Sequence, residues 1–97
     1  KEIAMSKHKE NIHNYINEIA NEVYEFILAK ESGYPDRWVS AIDIKKELSL
    51  NFVAVPVNNK QYGPKGWLFA IVARILEDEK RVEHCKVGSR SFYRTFE

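Results

Sequence analysis

The tightest constraint on this chain is the Gly88-Ser89 pair set between two β-prone runs near its C-terminal end. A two-residue hairpin turn needs central positions that accept positive φ, and a pair of this kind supplies them. With these two residues as the turn, Val87 opposes Arg90, Cys85 opposes Phe92, and Glu83 falls opposite Arg94 as a complementary charge pair. One register satisfies the turn and the cross-strand pairs together. The spacing therefore predicts an antiparallel hairpin, with Phe92 or Cys85 packing inward.

The residues upstream repeat with a different period. Ile12, Ile16, Ile19, Ala20, Val23 and Ile27 share one stripe at helical spacing, which predicts a helix from about Lys9 to Lys30 that stops before Gly33 and Pro35. Trp38-Val39 is a short β-prone pair, and Ser40 is placed to cap a helix beginning at Ala41. In that second helix Ala41, Ile44 and Leu48 form the inner stripe, Lys45 and Lys46 point away from it, and Asn51 is positioned to close it. Phe52 to Val57 contains a proline and reads as an extended connection, and Asn58 to Gly63 as a loop. A third helix is expected from about Pro64 to near Lys80, with Leu68, Ile71, Val72, Ile75 and Leu76 as its core stripe.

At 97 residues and 44% hydrophobic content the chain has the size and composition of one globular domain. In a domain this small the large aromatics Trp38, Trp67, Phe69 and Phe92 are expected in the core, which leaves little for a pocket. The formal charge is only +1, but it is unevenly spread. Residues 1–57 carry seven Lys/Arg against nine Asp/Glu, whereas residues 58–97 carry eight against five, so the basic excess lies toward the C-terminal end. A lone cysteine, Cys85, cannot form an internal disulfide and fits a reducing compartment. The absence of an apolar run of about 20 residues or of a leader-like N-terminus points to a cytoplasmic protein without a membrane partner.

Little here resembles catalytic machinery. His84 and Cys85 are neighbours on a predicted strand, so their side chains point to opposite faces and cannot act as nucleophile and base together. His8 and His13 do not align on one helix face, and no spacing suggests a metal site. The expectation is a non-enzyme with no metal and no cofactor.

The order helix, short strand, helix, helix, strand, turn, strand resembles the winged helix-turn-helix superfamily. Trp38-Val39-Ser40-Ala41-Ile42-Asp43-Ile44, the run from Gly66 to Leu76, and the hairpin from Val87 to Arg94 carry that resemblance, which covers about residues 10–97. It implies an α+β fold: a winged helix with a three-helix core, a small antiparallel sheet and a C-terminal β-hairpin wing. Residues 1–8 then form a flexible N-terminal segment and residues 9–97 the domain. The connection between the second and third helices, about fourteen residues from Leu50 to Pro64, is longer than the tight turn usual in the family.

In proteins of this superfamily the third helix enters the major groove and the wing touches phosphate or the minor groove. Here that helix offers mainly small residues to a groove, so the expected nucleic-acid contacts lie beside it. Asn58, Asn59, Lys60, Gln61 and Tyr62 combine amides, a cation and an aromatic ring. Lys65 adds charge beside the amide groups that open a helix. Arg74 lies on the helix flank, where an ion pair with Asp78 competes for it, and Lys86, Arg90 and Arg94 lie on the hairpin, with Arg90 at its tip. The resulting expectation is a module that binds nucleic acid, duplex DNA first and RNA second, as a transcriptional regulator or the targeting domain of a larger protein. The alternative is a winged-helix protein–protein interaction or dimerisation module, with a homodimer or a partner protein in place of nucleic acid.

Overall fold

The structure is a computed structural model that describes residues 2–53 and 63–96, with side chains from residue 7 onward. The predicted contacts Asn58, Asn59, Lys60, Gln61 and Tyr62 lie outside the described residues. Among the described residues three helices and three strands follow one another as α1 (Glu2–Lys30), β1 (Val39–Ser40), α2 (Ala41–Glu47), α3 (Trp67–Asp78), β2 (Val82–Val87) and β3 (Arg90–Thr95). Two short 3-10 turns, Glu31–Gly33 and Pro35–Arg37, join α1 to β1. The protein is thus α+β, three helices against one antiparallel sheet of order β1-β3-β2. Among the described residues no helix is long and apolar enough to cross a membrane.

The hairpin has the register read from the sequence, with Val87 opposite Arg90, Cys85 opposite Phe92 and Glu83 opposite Arg94. Its inward face is the reverse of the one expected. Tyr93, not Phe92, is in the core, because β1 pairs Val39 with Tyr93 and sets both side chains toward the helices. Tyr93 meets the Phe69 ring edge-on at 5.5 Å and stacks on His84 at 4.8 Å. Phe92 and Cys85 lie half-buried on the outer face, beside Trp38.

Ser40 caps α2 as its sequence implies, its hydroxyl accepting the Ile42 N–H at 3.2 Å. Asn51 does not close that helix. The left-handed position falls at Ser49 (φ 55), and the bonds Leu50 N–H to Lys45 O (2.8 Å) and Ser49 N–H to Lys46 O (3.3 Å) satisfy the last carbonyls. Asn51 instead accepts the Gly66 N–H on its carbonyl at 3.0 Å and so ties the end of α2 to the start of α3.

α3 begins at Trp67, later than the proline suggested, because Gly66 takes a left-handed conformation (φ 75) that breaks the helix N-terminal to it. Its core face is also rotated from the predicted stripe. Phe69, Val72, Ala73 and Leu76 are buried, Leu68 and Ile75 half-buried, and Ile71 is 49% exposed. The helix packs against both α1 and the sheet, so its apolar residues cover more than one stripe and periodicity alone leaves the phase open.

α1 starts at Glu2 rather than near Lys9, and among its described side chains only those of the second half enter the core. Ala20, Val23 and Ile27 are buried, whereas Ile12, Ile16 and Ile19 are exposed. At the far end of α1 the buried Glu31 accepts both the Thr95 N–H (2.9 Å) and its hydroxyl (2.7 Å) and pairs with Arg37 at 3.1 Å. This charge cluster fastens the last strand to the end of the first helix.

Candidate nucleic-acid interface

α2, the start of α3 and the tip of the hairpin enclose an open cleft of about 280 Å³. Its rim carries three cationic side chains from three separate elements: Lys45 on α2, Lys65 in the turn before α3, and Arg90 at the start of β3. Ser89 and Ser91 add hydroxyl groups beside Arg90. Its floor is formed by Gly66, Phe69 and Tyr93. Among the described residues that line it there is no carboxylate.

Each cation is brought to the cleft by a local feature of the chain. The Gly88-Ser89 turn projects Arg90 from the sheet end, where it is exposed. The turn over Pro64 to Gly66 closes with the Trp67 N–H on the Pro64 carbonyl (3.1 Å), which presents Lys65 immediately ahead of α3. Lys65 Nζ stands 5.6 Å from the Phe52 ring centre, a contact that leaves the ammonium exposed to solvent. Lys45 runs across Gly66, with its Cδ at 3.3 Å and its Nζ at 3.8 Å from where a Gly66 β-carbon would stand. The bare Gly66 backbone therefore lets an ammonium group lie beside the start of α3.

Burial raises the Tyr93 phenol above its ordinary value, and the nearby Glu77 carboxylate adds to the effect. The cleft floor therefore holds a neutral hydroxyl over the whole physiological range. Three cations and the serine hydroxyls, with no carboxylate among the described lining residues, make a surface complementary to phosphate oxygens.

Of the basic residues named from the sequence, Lys65 and Arg90 meet at this cleft. Lys86, Arg74 and Arg94 are elsewhere. Lys86 is exposed on β2. Arg74 borders a separate depression with Glu77, Asp78 and His84. No ion pair of 4.0 Å or less joins it to Asp78, contrary to the competing role its spacing suggested. Arg94 lies on the outer face of the sheet, 4.1 Å above the Trp38 ring, paired with Glu83 at 3.4 Å and donating to the Asp36 carbonyl at 2.9 Å. That network accounts for it structurally.

Lys45 is the residue that sequence reasoning missed. Its place off the inner stripe of α2 marked it as merely solvent-facing, and nothing local to α2 indicates that α3 begins beside it. A larger depression of about 620 Å³ flanks α1 at Lys9, Glu10, His13 and Asn14, where opposite charges and neutral groups alternate and no single ligand chemistry is selected. Among the described residues no group of three or more His, Cys, Asp or Glu side chains is arranged to hold a metal. Comparison with protein-family models, with curated proteins and with solved structures returns no match in any of the three.

Proposed function

We propose that this chain is a winged-helix module that binds duplex DNA chiefly through its phosphate backbone, serving as a regulator of transcription or as the targeting domain of a larger protein. In this reading the β2–β3 hairpin is the wing, and the cleft between it and α3 holds phosphate. The observation that carries it is the convergence of Lys45, Lys65 and Arg90 on one cleft whose described lining contains no acidic residue. The exposed face of α3 offers Ala70, Ile71 and Arg74, a poor set for reading base edges, so backbone contact supplies most of the affinity.

Phosphate contacts release condensed counterions, so binding to random duplex DNA should weaken steeply with salt. Three such contacts correspond to a fall of about 40-fold between about 50 and 200 mM salt, read by fluorescence anisotropy. Lys65→Ala and Arg90→Ala should each weaken binding to all sequences alike and reduce the salt slope by about one. Arg94→Ala, outside the cleft, should lower stability and leave that slope unchanged. Binding that is absent at low salt, or indifferent to salt, overturns the proposal in favour of the protein-interaction reading, and a preference for single-stranded RNA over duplex DNA replaces the ligand but not the cleft.

A further inference from the structure

α1 is longer than the fold it supports. Its 29 residues span about 43 Å at 1.5 Å per residue, yet among its described side chains the buried ones begin only at Ala20. Ahead of them Ile12, Tyr15, Ile16 and Ile19 recur at three- and four-residue steps and form one continuous apolar face. They are 58%, 60%, 39% and 38% exposed. This face runs in phase with the core residues Ala20, Val23 and Ile27, so the core stripe continues past the edge of the domain into solvent. A helical segment of this length has little stability without a surface to pack on.

We propose that this face is the interface of a homodimer in which the first halves of two α1 helices pack antiparallel. The stripe is self-complementary in that sense. A two-fold axis passing between Tyr15 and Ile16 sets Ile12 against Ile19 of a second copy and Tyr15 against its Ile16, an isologous contact that closes on itself.

Charge selects the orientation. Residues 7–10 carry two lysines and one glutamate, whereas residues 18–25 carry three glutamates and no lysine or arginine. The antiparallel arrangement sets the basic segment of each copy level with the acidic segment of the other, and opposes the two helix dipoles. A parallel arrangement sets like against like along the whole length. Covering the four side chains on both copies removes on the order of 1,000 Å² from water, at the lower bound for a specific interface, so the dimer should be concentration-dependent.

The proposal is independent of nucleic-acid binding and is tested without DNA. Light scattering on the full chain across a concentration series should show a rise from the mass of one chain to that of two. Ile16→Glu and Ile12→Glu should each weaken association by at least about tenfold, with the cooperative thermal unfolding of the core retained because neither side chain is buried in it. Register is read by thiol cross-linking in a Cys85→Ser background. Ile16→Cys should cross-link to itself, whereas Ile12→Cys should cross-link only when mixed with Ile19→Cys. A chain that stays monomeric at every concentration, a dimer insensitive to Ile16→Glu, or self-cross-linking of Ile12→Cys alone overturns the antiparallel dimer.

Discussion

Lys45 and Gly66 fit one another: the lysine chain crosses the glycine at a distance that leaves 3.3 Å between its Cδ and the place of a Gly66 β-carbon. Gly66 also holds a φ of +75, which L-residues rarely adopt. The lysine stem is flexible and can move aside, so the backbone conformation sets most of the energetic effect of adding a methyl group. Gly66→Ala should therefore destabilise the fold by about 1–2 kcal/mol in denaturant unfolding. It should also shift Lys45 and weaken binding to random duplex DNA. Lys45→Ala should weaken that binding with little change in stability, which separates the charge from the conformation.

The rotation of α3 makes a paired prediction. Phe69 is buried against Tyr93, whereas Ile71, which periodicity alone assigned to the core, stands in solvent. Phe69→Ala should cost about 3–5 kcal/mol, and Ile71→Ala less than about 0.5 kcal/mol. Equal losses at the two positions in urea titrations would contradict the helix orientation.

Glu31 supplies the third prediction. It accepts both donors of Thr95 and pairs with Arg37 while being almost wholly shielded from water. Glu31→Ala leaves these donors without their buried acceptor and should cost about 3 kcal/mol, whereas Thr95→Val removes a single hydroxyl bond and should cost about 1 kcal/mol. Thermal unfolding of both variants checks the order.

The alkaline limb of stability should depend on Tyr34. Its hydroxyl donates to Asp43 Oδ2 at 2.7 Å, and that bond, with some burial and the carboxylate charges of Asp43 and Glu47, pushes its pKa from 10.0 up to about 12. The protonated phenol is the form the fold prefers. Its contribution is whole below pH 10.0 and is lost as pH rises toward about 12, because the unfolded chain then ionises first. Tyr34→Phe should flatten the decline of melting temperature across that window while lowering stability slightly at neutral pH. Phenolate absorbance of the folded protein should show the corresponding delayed titration.

The hairpin register, the Ser40 cap and the end of α1 at Lys30 all follow from residues close together in the chain. Turn chemistry, cap chemistry and helix stops act over a few residues, and so are legible without coordinates. Which hairpin face turns inward depends on β1, about fifty residues upstream, pairing Val39 with Tyr93. The phase of α3 depends likewise on packing against two partners at once. Lys65 and Arg90 were legible as candidate contacts from their places at a helix start and a hairpin tip, whereas Lys45 was not, since a cleft is a property of how elements meet.

Local stereochemistry thus determined which elements form and those ends that a single turn or cap settles, as at Ser40 and Gly88-Ser89, whereas the facing ends of α2 and α3 were set by their contact through Asn51 and Gly66. The tertiary structure alone decided which faces are buried and which charges share a surface, because burial of apolar area is a collective quantity that no segment fixes by itself. The exposed half of α1 shows both influences: its periodicity is written in Ile12, Tyr15, Ile16 and Ile19, and only the fold leaves that stripe uncovered.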